Sequence, residues 1–208
     1  LSQEATDAYE AARQKIQKHL NAAHAHEIIF TSGTTHSINI VSNGYEQLLG
    51  PGDELIVSAL EHHSNIVPWQ MLCEKSGAVL KVIPMNEGGV LLMKEYDKLL
   101  SEKTKLVFVN HVSNALGTVN PIAEIIEKAH AVGAEVLIDG AQSAPHIQAD
   151  VQALGVDYYV TSAHKLCGPT GIGMLYGKAS ALNRLPPYQG GGEMIAEVTF
   201  EKTTYAGL

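Results

Sequence analysis

The chain has 208 residues, enough for one good-sized domain with a sizeable core. Hydrophobic residues make up 45 % and charged ones 17 %, the composition of an ordinary globular protein rather than a disordered one. A net charge of −8, with fourteen scattered Lys and Arg, argues against a nucleic-acid or anionic-membrane partner.

Residues 1–20 have the pattern of an amphipathic helix, starting at Leu1 with no lead-in. Glu27 to Thr31 reads as a short apolar strand, and Ser32-Gly33-Thr34-Thr35 turns it into a helix expected to end near Gly50. After the turn Pro51-Gly52-Asp53, a second strand is expected over Glu54 to Ala59. A helix through Ile66 to Lys75 follows, with Gly77 as its C-cap. Strand Val79 to Pro84 and a helix around Met93 to Leu100 precede strand Leu106 to Asn110. Pro121 opens a helix over Ile122 to Ala131, closed by Gly133. Strands are then expected at Glu135 to Ile138, ending at Asp139, in the run Tyr158 to Lys165, which delivers Ser162, His164 and Lys165 to its end, and at Gly173 to Tyr176. Gly190-Gly191-Gly192 is expected to begin a mobile tail. Alternating βα units with nearly continuous apolar strands predict an α/β fold: a mostly parallel, mixed sheet with helices on both faces, in one domain over 1–208. No run is long and apolar enough for a transmembrane helix and no basic-then-apolar leader is seen, so the expected compartment is the cytoplasm.

Open α/β sheets bind ligands at the carboxyl ends of their strands. Read in order, those ends carry Ser32-Gly33-Thr34-Thr35, Glu61-His62-His63, Asn110 to Asn114, Asp139-Gly140-Ala141-Gln142 and Ser162-Ala163-His164-Lys165. Lys165 is the most informative of them. Lysine is seldom buried unless paired, and an amine at a strand end beside Ser162 and His164 can lose its proton and condense with a carbonyl, as in pyridoxal phosphate anchoring. Position alone also fits a lysine at an exposed loop start. Gly33-Thr34-Thr35 opens a helix whose free N–H groups favour a phosphate, and equally fits an ordinary threonine cap. Asp139 follows a run of hydrophobic residues and needs a cationic partner, such as a protonated pyridine nitrogen, unless it merely caps the next segment. Gln142 lies three residues on, within reach of a ring oxygen. His62 is placed to stack on a planar ring and shuttle protons, or is simply solvated; His63 is read as structural. Ser162 and His164, alternating along an extended run, can share a face and donate to a phosphate. Ten histidines and two cysteines, Cys73 and Cys167, show neither CxxC nor i,i+4 ligand spacing, so neither a metal site nor a disulfide framework is expected.

These segments, with His111-Val112-Ser113-Asn114, His164 to Gly171 and Gly190 to Ile195, resemble the cysteine desulfurases of the class V aminotransferase group, within the fold-type I pyridoxal-phosphate enzymes. The SufS type, overlapping with selenocysteine lyases, is the nearest in pattern. Order and spacing match over essentially the whole chain. The resemblance implies pyridoxal 5′-phosphate as cofactor and a Schiff base on Lys165, which also returns protons to the substrate. It implies that His62 stacks on the ring and that Asp139 pairs with the ring nitrogen. Gln142 and Asn114 would contact the phenolic oxygen and substrate. Thr34, Thr35, Ser162 and His164 would hold the phosphate or its surroundings.

The same resemblance implies a piece of a longer chain: the PLP-binding large domain, lacking an N-terminal segment and the C-terminal small domain that supplies the persulfide-forming cysteine and the carboxylate-binding arginine. Cys73 and Cys167 are read as packing residues. The implied reaction is L-cysteine to L-alanine with sulfur passed to an acceptor protein for iron–sulfur cluster assembly, in a homodimer when full length. Selenocysteine lyase, another class V aminotransferase, and a catalytically inert cofactor-domain fragment are the alternatives.

Overall fold

The computed structural model describes residues 2–192 and 194–206. Leu1, Glu193 and the last two residues of the tail, parts of the expected first helix, the triple-glycine motif and the C-terminus, lie outside the described residues.

One seven-stranded sheet forms the centre. Its strands are β1 (Ile28–Thr31), β2 (Glu54–Ser58), β3 (Val79–Ile83), β4 (Thr104–Asn110), β5 (Glu135–Asp139), β6 (Tyr158–Ser162) and β7 (Gly173–Gly177). Their order is β1-β7-β6-β5-β4-β2-β3. β2, β3, β4, β5 and β6 pair in parallel, and only β7 runs antiparallel, wedged between β6 and β1.

The helices are α1 (Ser2–Leu20), α2 (Thr34–Tyr45), α3 (Val67–Ser76), α4 (Met93–Leu99), α5 (Ile122–Ala131), α6 (Val151–Leu154) and α7 (Ala179–Leu182). Two apolar clusters, one on each sheet face, bury them. Ile38, Val41 and Tyr45 of α2 and Trp69 and Leu72 of α3 pack with Leu55, Phe108, Leu137 and Val160. On the other face Leu20, Tyr96 and the α5 residues Ile122, Ile125 and Ile126 pack with Ile56, Val107, Val136 and Tyr159. The alternation along each strand explains the split, since successive side chains point to opposite faces.

Local chemistry sets the ends. α3 opens with Pro68 in its first turn and closes at Gly77 (φ 75°), whose N–H bonds to the Cys73 carbonyl. α2 stops at Tyr45, short of Gly50, because the chain tightens into turns in which the N–H groups of Leu48 and Leu49 both bond to the Tyr45 carbonyl. β4 starts at Thr104, two residues earlier than the apolar run alone predicts, because Thr104 pairs with Glu54 ahead of a register shift. Helices α6 and α7 have four residues each, too short for periodicity to reveal. After the glycines, where a mobile tail is expected, Ile195–Val198 (β8) and Thr203–Tyr205 (β9) pair as an antiparallel hairpin.

The topology creates a crevice. The connection after β2 runs through α3 on one face, whereas that after β4 runs through α5 on the other. Neighbouring strands whose connections part in this way leave an opening at their carboxyl ends, which is where open α/β sheets take ligands.

Candidate active site

At that sheet edge a cavity of about 210 Å³ is lined by Thr34, Thr35, His62, Asn114, Asp139, Gln142, Ser162, His164 and Lys165. All nine residues singled out in the sequence thus meet at one cavity, with Ser64, Asn110, Val112 and Ala141 between them.

Asp139 ends β5 and is only 5 % exposed. Burial pushes its carboxyl above the usual range, opposed by the Ala141 N–H and by the nearby Lys165 and His62. Oδ1 accepts that N–H at 2.9 Å, so the capping role considered for Asp139 is filled by one oxygen. The other is left for the cavity. Among the described residues Asp139 has no salt bridge, an expensive condition for a buried carboxylate.

Lys165 is not on the strand itself. β6 ends at Ser162, and Ala163–Leu166 forms a 3-10 turn that carries His164 and Lys165. His164 and Lys165 therefore reach the cavity by the winding of this turn, not by the two-residue alternation expected from an extended run. Among the described residues Lys165 makes no ion pair. The turn closes at Cys167, a non-glycine residue at φ 61°. Cys167 is exposed, so its expected role in packing is not met, whereas Cys73 is half-buried against the α2–α3 cluster.

The corner of the cavity at the start of α2 is built by β1, β6 and β7 together. Gly33 caps α2 at φ 152°, a conformation open to glycine, so the cap is not a threonine. Thr34 donates its N–H to Ser162 Oγ at 2.9 Å, and the two hydroxyls meet at 2.7 Å. A Cβ on Gly173 would fall 2.4 Å from the Gly33 Cα, so β7 can approach this turn only as glycine. Of the first-turn N–H groups of α2, that of Thr34 is taken by Ser162, while those of Thr35 and His36 lack helical acceptors, and with Thr34 and Thr35 lining the cavity this helix end suits an anion.

His62 precedes a short 3-10 turn (His63–Asn65). Its Nδ1 accepts the Ser64 N–H at 3.1 Å and meets Ser64 Oγ at 2.8 Å. An Nδ1 that accepts from a backbone N–H leaves the ring proton on Nε2, assigned here from the hydrogen-bond network. Asn114 is exposed at the rim, and Gln142 is partly buried beside Asp139.

Sequence reasoning gives Glu61 no role, although the residue stands in the strand-end motif with His62. Its Oε1 accepts from the Asn110 N–H at 2.8 Å and contacts Ser58 Oγ, and its Oε2 accepts from Asn65 Nδ2 at 2.7 Å. Burial pushes this carboxyl from its usual 4.5 to about 8 against those donors, with Asp139 adding a further upward push. An acidic residue placed just after a buried strand is the signal that could have found it.

Comparison with known proteins sets this geometry in a family. The family described as "Aminotransferase class-V" matches residues 1–208. The chain belongs to it. A protein of Synechococcus elongatus named cysteine desulfurase is 54 % identical over 206 residues, 99 % of this chain and 33 % of that protein. The crystal structure of the cysteine desulfurase CsdA (S-sulfonic acid) from Escherichia coli superposes with a TM-score of 0.93 at 43 % identity, over 99 % of this chain and 52 % of that one. A C-DES variant with glycine covalently linked to its PLP cofactor gives 0.83 at 27 % identity, over 99 % and 55 %. The chain thus spans between a third and about half of the length of these class-V relatives.

Proposed function

We propose that this chain is the cofactor-binding part of a pyridoxal-phosphate-dependent cysteine desulfurase, converting L-cysteine to L-alanine with transfer of sulfur to an acceptor protein. The observation that carries the reading is a buried Asp139 that, among the described residues, has no ion pair and faces a cavity that also holds an amine, an imidazole and a helix N-terminus. That donor set fits pyridoxal phosphate at each end. Asp139 would hold the protonated ring nitrogen, and the α2 N-terminus with Thr34, Thr35, Ser162 and His164 would hold the phosphate. When bound, the cofactor supplies an electron sink for bonds at the substrate α-carbon.

The chain's own groups then have distinct tasks. Lys165 Nζ anchors the cofactor and moves a proton at the substrate α-carbon. His62, which lines the cavity, would lie against the cofactor ring, with its proton on Nε2. Asn114 and Gln142 orient the polar edge of ring and substrate. Among the described residues no arginine lines the cavity, Arg13 being on α1 and Arg184 paired with Glu135, and neither cysteine does. In this reading the thiolate that attacks the substrate sulfur and the cation that holds its carboxylate would come from outside these 208 residues. A SufS-type role in iron–sulfur cluster assembly, a cytoplasmic location and a homodimer accompany this reading, supported by the motif resemblance.

Titrating the chain with pyridoxal phosphate, read by visible absorbance and retention on dialysis, tests the proposal. Stoichiometric uptake is expected. Asp139→Asn should weaken it at least about thirtyfold, the ratio for about 2 kcal/mol lost from a buried charge pair. Equal uptake by both proteins would overturn the role of Asp139, and no uptake by either would overturn the cofactor assignment.

A further inference from the structure

The loop that carries His62 is held by a chain of buried polar contacts none of which touches the cavity's acid, amine or anion seat. Glu61 accepts the Asn110 N–H, the Asn65 amide and the Ser58 hydroxyl. Asn65, fully buried, in turn accepts the Trp69 indole N–H at 3.0 Å, and Trp69 is stacked on Phe108 at 4.4 Å. Asn110 donates its side-chain amide to the Leu60 carbonyl at 2.6 Å and accepts from Asn120 at 2.8 Å on its carbonyl. Glu61 therefore ties the end of β2, the start of α3 and the end of β4 into one unit, across the crevice where their connections diverge.

We propose that Glu61 is a positioning residue for His62, fixing the imidazole over the cavity by clamping the β2 end to the β4 end through Asn110 and Asn65. This rests on the cofactor reading above only for the purpose of the clamp; the clamp itself is a property of the chain. Three donors converge on the carboxyl, and two of them cannot reverse. The Asn110 donor is a backbone N–H, and the Asn65 amide is oriented by the Trp69 indole, which only donates. Ser58 is the flexible member, since a hydroxyl gives or takes a proton. It also accepts the Leu60 N–H at 3.2 Å, so the same serine closes the turn next to the clamp. The raised carboxyl pKa is compatible with this pattern, because a proton on Glu61 can be shared with the Ser58 oxygen while the other two contacts persist.

The geometry yields an exchange test. In Glu61→Gln the new NH₂ must face either the Asn110 N–H or the Asn65 NH₂, donor against donor in both cases. The first cannot be repaired by a side chain. The second is repaired by Asn65→Asp, whose carboxylate accepts from the introduced amide NH₂ and still accepts from Trp69. The single variants and the exchanged pair Glu61→Gln/Asn65→Asp are compared with the parent chain in two ways. One is ¹⁵N NMR of the His62 imidazole without added cofactor, with the signal assigned by His62→Gln. The other is titration with pyridoxal phosphate. The expected result is an Nε2–H imidazole in the parent, a shifted His62 signal and about tenfold weaker uptake in Glu61→Gln, and recovery of both in the exchanged pair. An unchanged His62 signal in folded Glu61→Gln overturns the proposal, as does a folded exchanged pair that recovers neither readout. Should the exchanged pair fail to fold, the His62 signal of Glu61→Gln decides alone. If the parent takes up no cofactor, the proposed function falls while the NMR comparison still judges the clamp.

Discussion

Lys165 and Asp139 face one cavity, the amine carried on a 3-10 turn and the carboxyl buried at the end of a strand. Borohydride added to the chain with pyridoxal phosphate should bind the cofactor permanently, and peptide mapping should place the label on Lys165. A label on another lysine would remove the anchor role. Glu61 brings a separate pH effect. Its carboxyl holds its proton from the usual 4.5 up to about 8 in the folded chain, so across that window the folded state binds more protons than the unfolded one. Unfolding free energy should therefore fall as pH rises from about 4.5 to about 8. Asp139, also raised, adds in the same direction. Urea titrations at a series of pH values should show this slope, and Glu61→Gln should flatten it. The residue types at the strand ends were legible because each is costly where it stands: an acid after Val136-Leu137-Ile138, an amine before a glycine-rich turn. Glu61 was not legible as a clamp. Its three partners lie on three elements, and no local pattern announces where they converge.

At the scale of elements, the tight point is the contact of two glycines. Gly33 occupies φ 152°, and Gly173 leaves no room for a Cβ beside it. Gly173→Ala should cost about 1–3 kcal/mol through forced backbone separation and should loosen the Thr34–Ser162 contact. Chemical denaturation reads the first effect and pyridoxal-phosphate affinity the second. A neutral outcome in both would mean that β1 and β7 can move apart freely. Trp69→Ala, by contrast, empties a fully buried site on the α3 face and should cost about 3–5 kcal/mol. The long elements were readable from apolar period and from punctuation such as Pro121, Gly77 and Gly133. The winding after β6 was not. A strand pattern continued through Ser162 to Lys165 gives the right residues one face by the wrong geometry, because the 3-10 turn begins where the sheet's pairing with β7 stops. The two four-residue helices and the β8–β9 hairpin escaped for a related reason: each is shorter than the window in which periodicity becomes visible.

On the scale of the whole molecule, the cavity holds an acid, an amine and a helix N-terminus, and among the described residues neither a thiol nor a guanidinium lines it. The 208-residue chain should therefore release neither alanine nor sulfide from L-cysteine above the free-cofactor background. Joining it to the remaining length of a class-V relative should restore turnover. Catalytic desulfuration by this chain alone, lost on Cys167→Ser, would make the exposed Cys167 the nucleophile and overturn that reading.

The lone antiparallel strand has a temporal consequence. β1 is made before the other six strands of its sheet, yet within that sheet it pairs only with β7, from Gly173 to Tyr176. On a ribosome the chain emerges from its amino end, so β1 must wait for roughly 140 residues of later synthesis before it gains a strand partner. Until then no strand pairing holds the β1–α2 turn, and with it Thr34, against Ser162. A nascent chain stalled just before Gly173 already contains Lys165 and Asp139 but should not retain pyridoxal phosphate. Extending it past Gly177, clear of the exit tunnel, should switch retention on, making cofactor capture a late event in the life of the chain.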